Sequence, residues 1–87
     1  MFKAVVTVTL RPSILDPQGK AMQRALHDLG HGTVEQVRAG KHIELWIDAA
    51  SAEEAERTAR TACEQLLANP VMEDFSVAVE ALDGAPA

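Results

Sequence analysis

The stretch that most limits the possible folds is residues 2–10, FKAVVTVTL, because its apolar residues alternate with a period of two. Alternation of this kind is typical of a strand that buries one of its faces. One face carries Phe2, Ala4, Val6, Val8 and Leu10, and the other carries Lys3, Val5, Thr7 and Thr9. We therefore expect the chain to open with a strand that contributes one face to a core.

Residues 16–29 predict the first helix. A single apolar stripe follows the i, i+3, i+4, i+7 spacing and consists of Met22, Ala25, Leu26 and Leu29. Asp16 can cap the helix, Pro17 suits its first position, and Gly30 can close it. Gly19 does not fit, because glycine weakens a helical turn. Its presence favours a close approach of another chain or a ligand to the backbone at that point.

Residues 33–39 and 42–48 predict two further strands, joined by a short turn at Gly40 and Lys41. In the second strand, one face carries Ile43, Leu45 and Ile47, and the other carries His42, Glu44, Trp46 and Asp48. The first strand, TVEQVRA, alternates poorly, because Val34 and Val37 are out of phase. We therefore expect an edge strand or a strand that contains a bulge.

Residues 52–68 predict the second helix, since Ser51 and Glu54 have the spacing of a capping box. Its apolar side consists mostly of small residues, which allow close packing on a sheet: Ala55, Ala59, Ala62, Cys63, Leu66 and Leu67. Asn69 and Pro70 end it, because the residue before proline avoids helical geometry. Residues 73–80 predict the last strand, whose core face carries Phe75, Val77 and Val79.

The order of these elements, β-α-β-β-α-β, predicts an α+β fold of the ferredoxin-like type. Right-handed connections would give a four-stranded antiparallel sheet in the order 4-1-3-2, with both helices on one face. Three polar stretches would then meet at one end: RPSILDPQG, VRAGK and LLANPVMED. The opposite end would hold residues 30–33, residues 48–51 and both termini. We expect residues 1–82 to form one domain and residues 83–87 to be a disordered tail.

Composition excludes several classes of function. The chain of 87 residues has a net charge of −5 and no basic cluster, which argues against nucleic-acid binding. No apolar run approaches a membrane-spanning length, and the start of the chain resembles a strand more than a signal peptide, so we expect a cytoplasmic protein. A core this small is marginal on its own, which favours association with other subunits.

Few residues are candidates for chemistry. Cys63 is the only cysteine and lies on an apolar stripe, which favours a buried structural thiol over a nucleophile. His27 and His31 are four residues apart, a spacing that can bind a metal on a helix, but Gly30 between them favours a solvated pair. The pattern assigns no role to His42. With no phosphate loop and no Ser/His/Asp set, we predict no catalytic and no metal-binding residue.

Trp46 is the most informative exposed residue. It shares its face with Glu44 and Asp48, which places it on the side of the sheet that the helices leave open. Val5 and Thr7 of the first strand lie on the same side. An exposed tryptophan on an open sheet often marks an interface, so we predict self-association through Val5, Thr7 and Trp46. The alternative is an isolated surface tryptophan that Lys3 or His42 half covers.

Three stretches in this order resemble the PurS family, the small subunits of bacterial and archaeal phosphoribosylformylglycinamidine synthase. They are LDPQG after a strand, VRAGK across a predicted hairpin, and LLANPVMED after a helix. The resemblance covers residues 3–82. Arg11 stands where a lysine is common in the family, and His42 stands where an aliphatic residue is more usual.

The resemblance implies a noncatalytic assembly subunit in purine biosynthesis, acting as a homodimer or a higher homo-oligomer. It would bridge a glutaminase subunit and a large synthetase subunit and support the transfer of ammonia. ATP and magnesium are expected in the large subunit, and no cofactor is expected in this chain. The end where the three stretches meet is the predicted docking surface, with residues Arg11, Asp16, Pro17, Gln18, Gly19, Arg38, Gly40, Lys41, Asn69 and Pro70.

A second function stays open, that of an amino-acid-sensing (ACT-like) regulatory domain. Such domains have the same predicted strand order, are often dimeric, and bind a small effector at the subunit interface. Their usual glycine-rich effector loop after the first strand is not evident, since Gly19 is the only glycine in that stretch.

Overall fold

The computed structural model describes residues 1–83, which form three strands and two helices. The elements are β1 (Phe2–Leu10), α1 (Pro17–Asp28), β2 (Gly40–Ile47), α2 (Ala52–Ala62) and β3 (Glu73–Ala81), with a π-helical turn (Cys63–Leu67) that continues α2. All of the predicted tail except Asp83 lies outside the described residues.

β1 is the central strand and pairs antiparallel with β2 on one side and β3 on the other. Val6 lies opposite both Ile43 and Val77, so the apolar positions of the three strands share one face. The α+β class is confirmed, but the predicted four-stranded sheet in the order 4-1-3-2 is wrong. Within residues 1–83 the sheet has three strands in the order β2-β1-β3.

The absent strand is the one predicted at residues 33–39. These residues do not join the sheet, and Gly40 begins β2 instead of forming a hairpin turn with Lys41. Gly40 pairs with Thr9, and a β-carbon at Gly40 would collide with the carbonyl oxygen of Val8. The glycine therefore permits close strand pairing and does not serve a turn.

Residues 33–39 instead run beside α1. Gln23 Nε2 donates a hydrogen bond to the carbonyl oxygen of Glu35 at 2.7 Å, and His27 Nε2 lies 2.7 Å from the carbonyl oxygen of Val34. Two helical side chains thus hold the backbone of this returning segment. The out-of-phase valines of TVEQVRA agree with this arrangement, because a segment outside a sheet has no need of alternating faces.

We call residues 17–39 the arm. α1 makes no substantial contact with the strands or with α2, so its predicted place beside α2 on the sheet is wrong. The predicted position of residues 30–33 at the far end of the sheet depended on that packing and is not found. Most of the apolar stripe of α1 is left uncovered in the described chain, with Met22 43% and Leu29 74% exposed, while Leu26 is partly buried.

α2 covers the apolar face of the sheet. It begins at Ser51, whose Oγ accepts a hydrogen bond from the N–H of Glu54 at 3.2 Å. Ala55 and Ala59 are fully buried, which lets the helix lie close to the strands. α2 lies mainly over β1 and β3, and Ile43 and Leu45 of β2 are therefore only partly buried.

The core is small. It centres on Val6, Val8, Cys63 and Ala68, and the partly buried residues packed against it are Ile43, Leu45, Leu67, Phe75 and Val77. The predicted second helix, residues 52–68, is confirmed in extent, but its last turn is wider. Ala68 donates its N–H to the carbonyl oxygen of Cys63 at 3.0 Å, five residues back, which is the spacing of a π-helix.

Among residues 1–83, none of the helices combines the length and the apolar character needed to cross a membrane.

Removal of the α2 cap tests the importance of this helix for the fold. We expect Ser51→Ala to lower the free energy of unfolding by about 0.5–2 kcal/mol, because the N–H of Glu54 loses its acceptor. Ser51→Thr is the matched control, since it keeps a hydroxyl at the same position. Chemical denaturation measures both variants, and equal stability of Ser51→Ala and the parent chain would contradict the structural role of the cap.

Candidate functional site

Three connecting segments meet where β1 ends, as the sequence predicted. Thr9 lies opposite Gly40 and Leu10 lies opposite Glu73, so the segments that flank these residues adjoin one another. We call this region the loop end and define it as residues 11–19, 37–41 and 66–74. The convergence is confirmed, although it arises without the predicted hairpin.

Arg11 joins β1 to the segment that precedes β3. Its backbone N–H donates to the carbonyl oxygen of Met72 at 2.9 Å, and its guanidinium donates to the carbonyl oxygen of Pro70. Nε also lies 3.4 Å from the carboxylate of Asp74. The Arg11 side chain, which the sequence predicted to be a docking residue, therefore also connects two segments of the loop end within the chain.

Asn69 organises the turn that leads into β3. Its Oδ1 accepts the N–H of Val71 at 3.0 Å, and its own N–H donates to Glu73 Oε1 at 2.7 Å. The Asn69 carbonyl oxygen accepts from the N–H groups of Met72 and Glu73. This fixed turn presents Val71, which is 76% exposed, near the end of a helical segment on which Leu66 is 83% exposed.

Asp16 joins the start of α1 to the start of β2. Its Oδ1 accepts the N–H of Gly19 and its Oδ2 accepts the N–H of Ala39, both at 2.9 Å. These two hydrogen bonds, together with the nearby charge of Arg38, hold the pKa of the Asp16 carboxyl below its usual value. The ionised form of Asp16 is thus the form that holds the arm to the sheet.

Gly19 is explained by the same junction. It is buried, and a β-carbon there would collide with the carbonyl oxygen of Val37 and lie 2.9 Å from Asp16 Oδ2. The close approach that the sequence predicted is therefore made by the returning segment of the same chain. Sequence analysis could not find this partner, because it assigned Val37 to a strand of the sheet.

The other predicted docking residues lie around this junction. Pro17, Gln18, Lys41 and Pro70 are exposed at the loop end. Arg38 is partly buried and lines a cavity of about 500 Å³ between residues 12–16, the start of α1 and residues 35–38. We call this cavity the arm cavity. Sequence analysis did not predict it, because it forms only where the returning segment lies beside α1.

The predicted self-association residues also share one face of the sheet. Val5 lies opposite Glu44, Thr7 opposite His42, and Lys3 opposite Trp46. Trp46 is 43% exposed, and Lys3 Nζ lies 5.5 Å from the centre of its ring. The open face on which these side chains lie is thus as predicted, while their role in self-association stays a prediction.

An ion pair crosses this open face. Lys3 pairs with Glu44, and His42 Nε2 lies 3.7 Å from Glu44 Oε1. The hydrogen bond between Lys3 and Glu44 raises the pKa of the lysine and lowers the pKa of the glutamate. The face therefore combines an exposed indole with paired charges, a mixture found at protein interfaces.

The structure shows the surroundings of the residues that the sequence offered as candidates for chemistry. Cys63 is fully buried, and burial raises the pKa of its thiol, which disfavours the nucleophilic thiolate. The ring of His27 bonds to the carbonyl oxygen of Val34. Among residues 1–83, no group of three potential metal-ligating side chains comes together.

A methyl group at residue 19 tests the crossing of the two backbone segments. We expect Gly19→Ala to destabilise the chain, because overpacking costs about 1–3 kcal/mol and alanine regains only roughly 1 kcal/mol as a better helix former. Gly32→Ala is the control, because a β-carbon there meets open space. Denaturant unfolding compares the two variants, and a more stable Gly19→Ala chain would show that Val37 does not approach residue 19.

Acid titration tests the carboxylate of Asp16. Because its pKa is lower in the folded chain, its stabilisation is present above the unfolded pKa of about 4 and is lost as pH falls through the folded value. We expect Asp16→Asn to lower the melting temperature at neutral pH and to reduce its further fall in acid. Asp28→Asn on the same helix is the control. An unchanged acid profile in Asp16→Asn would rule out this contribution.

Nearly the whole chain is similar to a known protein family. The family described as PurS, phosphoribosylformylglycinamidine (FGAM) synthase, matches residues 3–81. The phosphoribosylformylglycinamidine synthase subunit PurS of Synechocystis is 49% identical over 80 residues, which is 92% of this chain and 80% of the relative. Its counterpart in Bacillus subtilis is 45% identical over 80 residues, 92% of this chain and 94% of the relative.

Solved structures of relatives share the fold. The crystal structure of Methanocaldococcus jannaschii PurS, one of the subunits of formylglycinamide ribonucleotide amidotransferase, has a TM-score of 0.86 at 36% identity, covering 95% of this chain and all 100% of that one. A chain of the PurLQS structure from Thermotoga maritima has a TM-score of 0.83 at 35% identity, covering 91% and 96% of the two chains. This chain therefore belongs to the PurS family of phosphoribosylformylglycinamidine synthase subunits.

Proposed function

We propose that this chain is the noncatalytic subunit that assembles phosphoribosylformylglycinamidine synthase in purine biosynthesis. The observation that carries the proposal is the match, over nearly the whole chain, to a chain of the PurLQS complex of Thermotoga maritima. The partners are a large synthetase subunit, PurL, and a glutaminase subunit, PurQ. The ACT-like regulatory alternative lacks comparable support, because the matching family is PurS.

In this function the partners supply the chemistry. ATP and magnesium belong to the large subunit, and glutamine hydrolysis belongs to the glutaminase. The small subunit holds the two in a fixed relation, so that ammonia released by one reaches the other. The environment of Cys63 supports this division, since a buried thiol with a raised pKa is unsuited to nucleophilic attack.

The loop end is the docking surface in our proposal. Hydrogen bonds within the chain fix its turns before any partner arrives, which lowers the entropy lost on binding. Exposed apolar side chains at Leu66 and Val71 stand near polar and charged residues such as Arg11. An apolar centre with a polar rim is the usual composition of a protein interface.

A second copy of the chain covers the surfaces that one chain leaves bare. α1 carries an apolar stripe without a sheet against it, and β2 is the part of the sheet that α2 covers least. Both surfaces carry apolar side chains that a single chain leaves incompletely covered. Because both belong to the same molecule, association between copies can cover them. The open face with Val5, Thr7 and Trp46 offers a further contact, and we propose a homodimer through this face.

Self-association can be tested on the two surfaces separately. We expect Trp46→Ala to weaken the contact through the open face, and Leu29→Ser to weaken the contact made by α1, with either change lowering the average mass on dilution. Arg57→Ala on the outside of α2 is the control. Sedimentation over a wide concentration range gives the mass, and an unchanged mass in both variants would reject both surfaces.

Docking can be tested with the two partner subunits. We expect Val71→Ser to weaken complex formation through lost apolar contact, and Lys41→Ala to slow association in a salt-dependent way. Arg57→Ala again serves as the control, and circular dichroism checks that each variant is folded. Normal affinity of Val71→Ser and Lys41→Ala for both partner subunits would exclude the loop end as the docking surface.

A further inference from the structure

α1 has little within its own chain to keep it helical. It spans only 12 residues, Pro17–Asp28, and makes no substantial contact with the strands or with α2. Isolated helices of fewer than about 12–15 residues are only marginally stable in water, and most helices in proteins depend on the packing of an apolar face. The stability of α1 must therefore come from its end signals, from the returning segment, or from a surface outside residues 1–83.

The end signals of α1 favour only its beginning. Asp16 caps the helix by accepting the N–H of Gly19, and Pro17 occupies the first helical position. The first turn has no acidic residue, and it contains a glycine, which weakens a helix. α2 differs in both respects, since Glu53 and Glu54 lie in its first turn. The junction at Asp16 thus fixes the start of α1 and leaves residues 20–28 to other contacts.

The returning segment contributes two hydrogen bonds to α1. Gln23 Nε2 donates to the carbonyl oxygen of Glu35, and His27 Nε2 lies 2.7 Å from the carbonyl oxygen of Val34. Both bonds are exposed, so water competes for the same groups. Neither bond covers the apolar stripe, on which Leu29 is 74% exposed. Within residues 1–83, α1 therefore lacks most of the apolar packing that usually stabilises a short helix.

The dimensions of the chain indicate how much surface is left bare. Its radius of gyration is 16.5 Å, whereas a compact domain of this length has about 12 Å. Its accessible surface is 6076 Å², about 1,000 Å² more than is usual for a folded monomer of 9.4 kDa. Each partner in a standard protein interface buries about 800 Å². One chain thus exposes roughly the additional area that one stable interface covers.

A second copy of the chain offers a surface of the required kind. α2 covers β2 least, and Ile43 and Leu45 on the apolar face of β2 are only partly buried. Every chain therefore carries both an uncovered helix and an uncovered strand. A twofold pair can match them twice, with the helix of each copy on the strand of the other.

The sheet and α2 do not depend on this contact. α2 packs mainly on β1 and β3, and the core between them lies outside the arm. It centres on Val6, Val8, Cys63 and Ala68. One part of the chain can therefore unfold locally while the other part keeps its structure.

We propose that residues 20–28 of α1 are a stable helix only in the associated chain, where β2 of a second copy covers the apolar stripe. In the lone chain these residues unfold, while the sheet, α2 and the junction at Asp16 stay folded. Self-association then includes the folding of this helix, and its free energy is reduced by the cost of ordering it. The inference rests on the proposed self-association through α1 and adds the change in the arm that accompanies it.

Amide hydrogen exchange of the full chain tests the state of α1 directly. Sedimentation first identifies one concentration at which the chain is associated and one at which it is monomeric. We expect residues 21–28 of the monomer to exchange within about tenfold of the rate of an unfolded chain, while residues 56–62 of α2 stay protected. In the associated chain, both helices are expected to be protected. A monomer in which α1 is as well protected as α2 would overturn the proposal.

A matched pair of variants at Arg24 tests whether folding and association are coupled. Arg24 is exposed and lies opposite the apolar stripe of α1. Arg24→Ala and Arg24→Gly remove the same side chain but differ in helix stability. We expect Arg24→Gly to associate about tenfold or more weakly than Arg24→Ala, because each of the two copies must order a weaker helix. If α1 is already helical in the lone chain, the glycine weakens both states alike and the two affinities are equal.

The outcomes separate this inference from the proposals on which it rests. Normal self-association with a protected α1 in the monomer, or with equal affinity of the two Arg24 variants, overturns the ordering of the arm alone. A chain that stays monomeric at every concentration overturns both the homodimer and this inference. Affinity for the partner subunits is measured separately and reports on the assembly function.

Discussion

The carboxylate of Asp16 is the interaction on which the arrangement of the chain most depends. One oxygen accepts the N–H of Gly19, and the other accepts the N–H of Ala39, which lies 23 residues further along the chain than Asp16. That junction brings the carbonyl of Val37 against Gly19, which excludes any larger residue there. The arm, the arm cavity and the entry into β2 all begin at this point, so one ionised side chain fixes the position of the arm relative to the sheet.

The sequence predicted the parts of the fold that depend on local pattern. Alternation located β1 and β3, the capping serine located α2, and Asp16 with Pro17 located the start of α1. Each of these signals is a direct consequence of backbone geometry over a few residues. The convergence of the loop end was also predicted, since it follows from antiparallel neighbours of β1 in either arrangement.

The arm could not be predicted in the same way. An amphipathic helix shows that it must bury its apolar stripe, but not whether the covering surface belongs to its own chain. A glycine between two extended segments is compatible with a hairpin turn or with close strand pairing, and only the contact of Gly40 with Val8 decides between them. Gly19 shows the same limit, because its sequence signal indicates a close approach without naming the group that approaches.

Because the core is small, coverage of the exposed arm matters for the stability of the folded chain. The buried hydrophobic residues of the described chain are valine, alanine and cysteine, with no large side chain fully enclosed among them, and such a core contributes little stability. Any subunit that covers α1 and β2 binds the folded chain and not the unfolded one, and so stabilises it by mass action. In the proposed assembly function this coupling has a direct consequence, since the chain would reach its full stability only when a second copy or another subunit covers these surfaces.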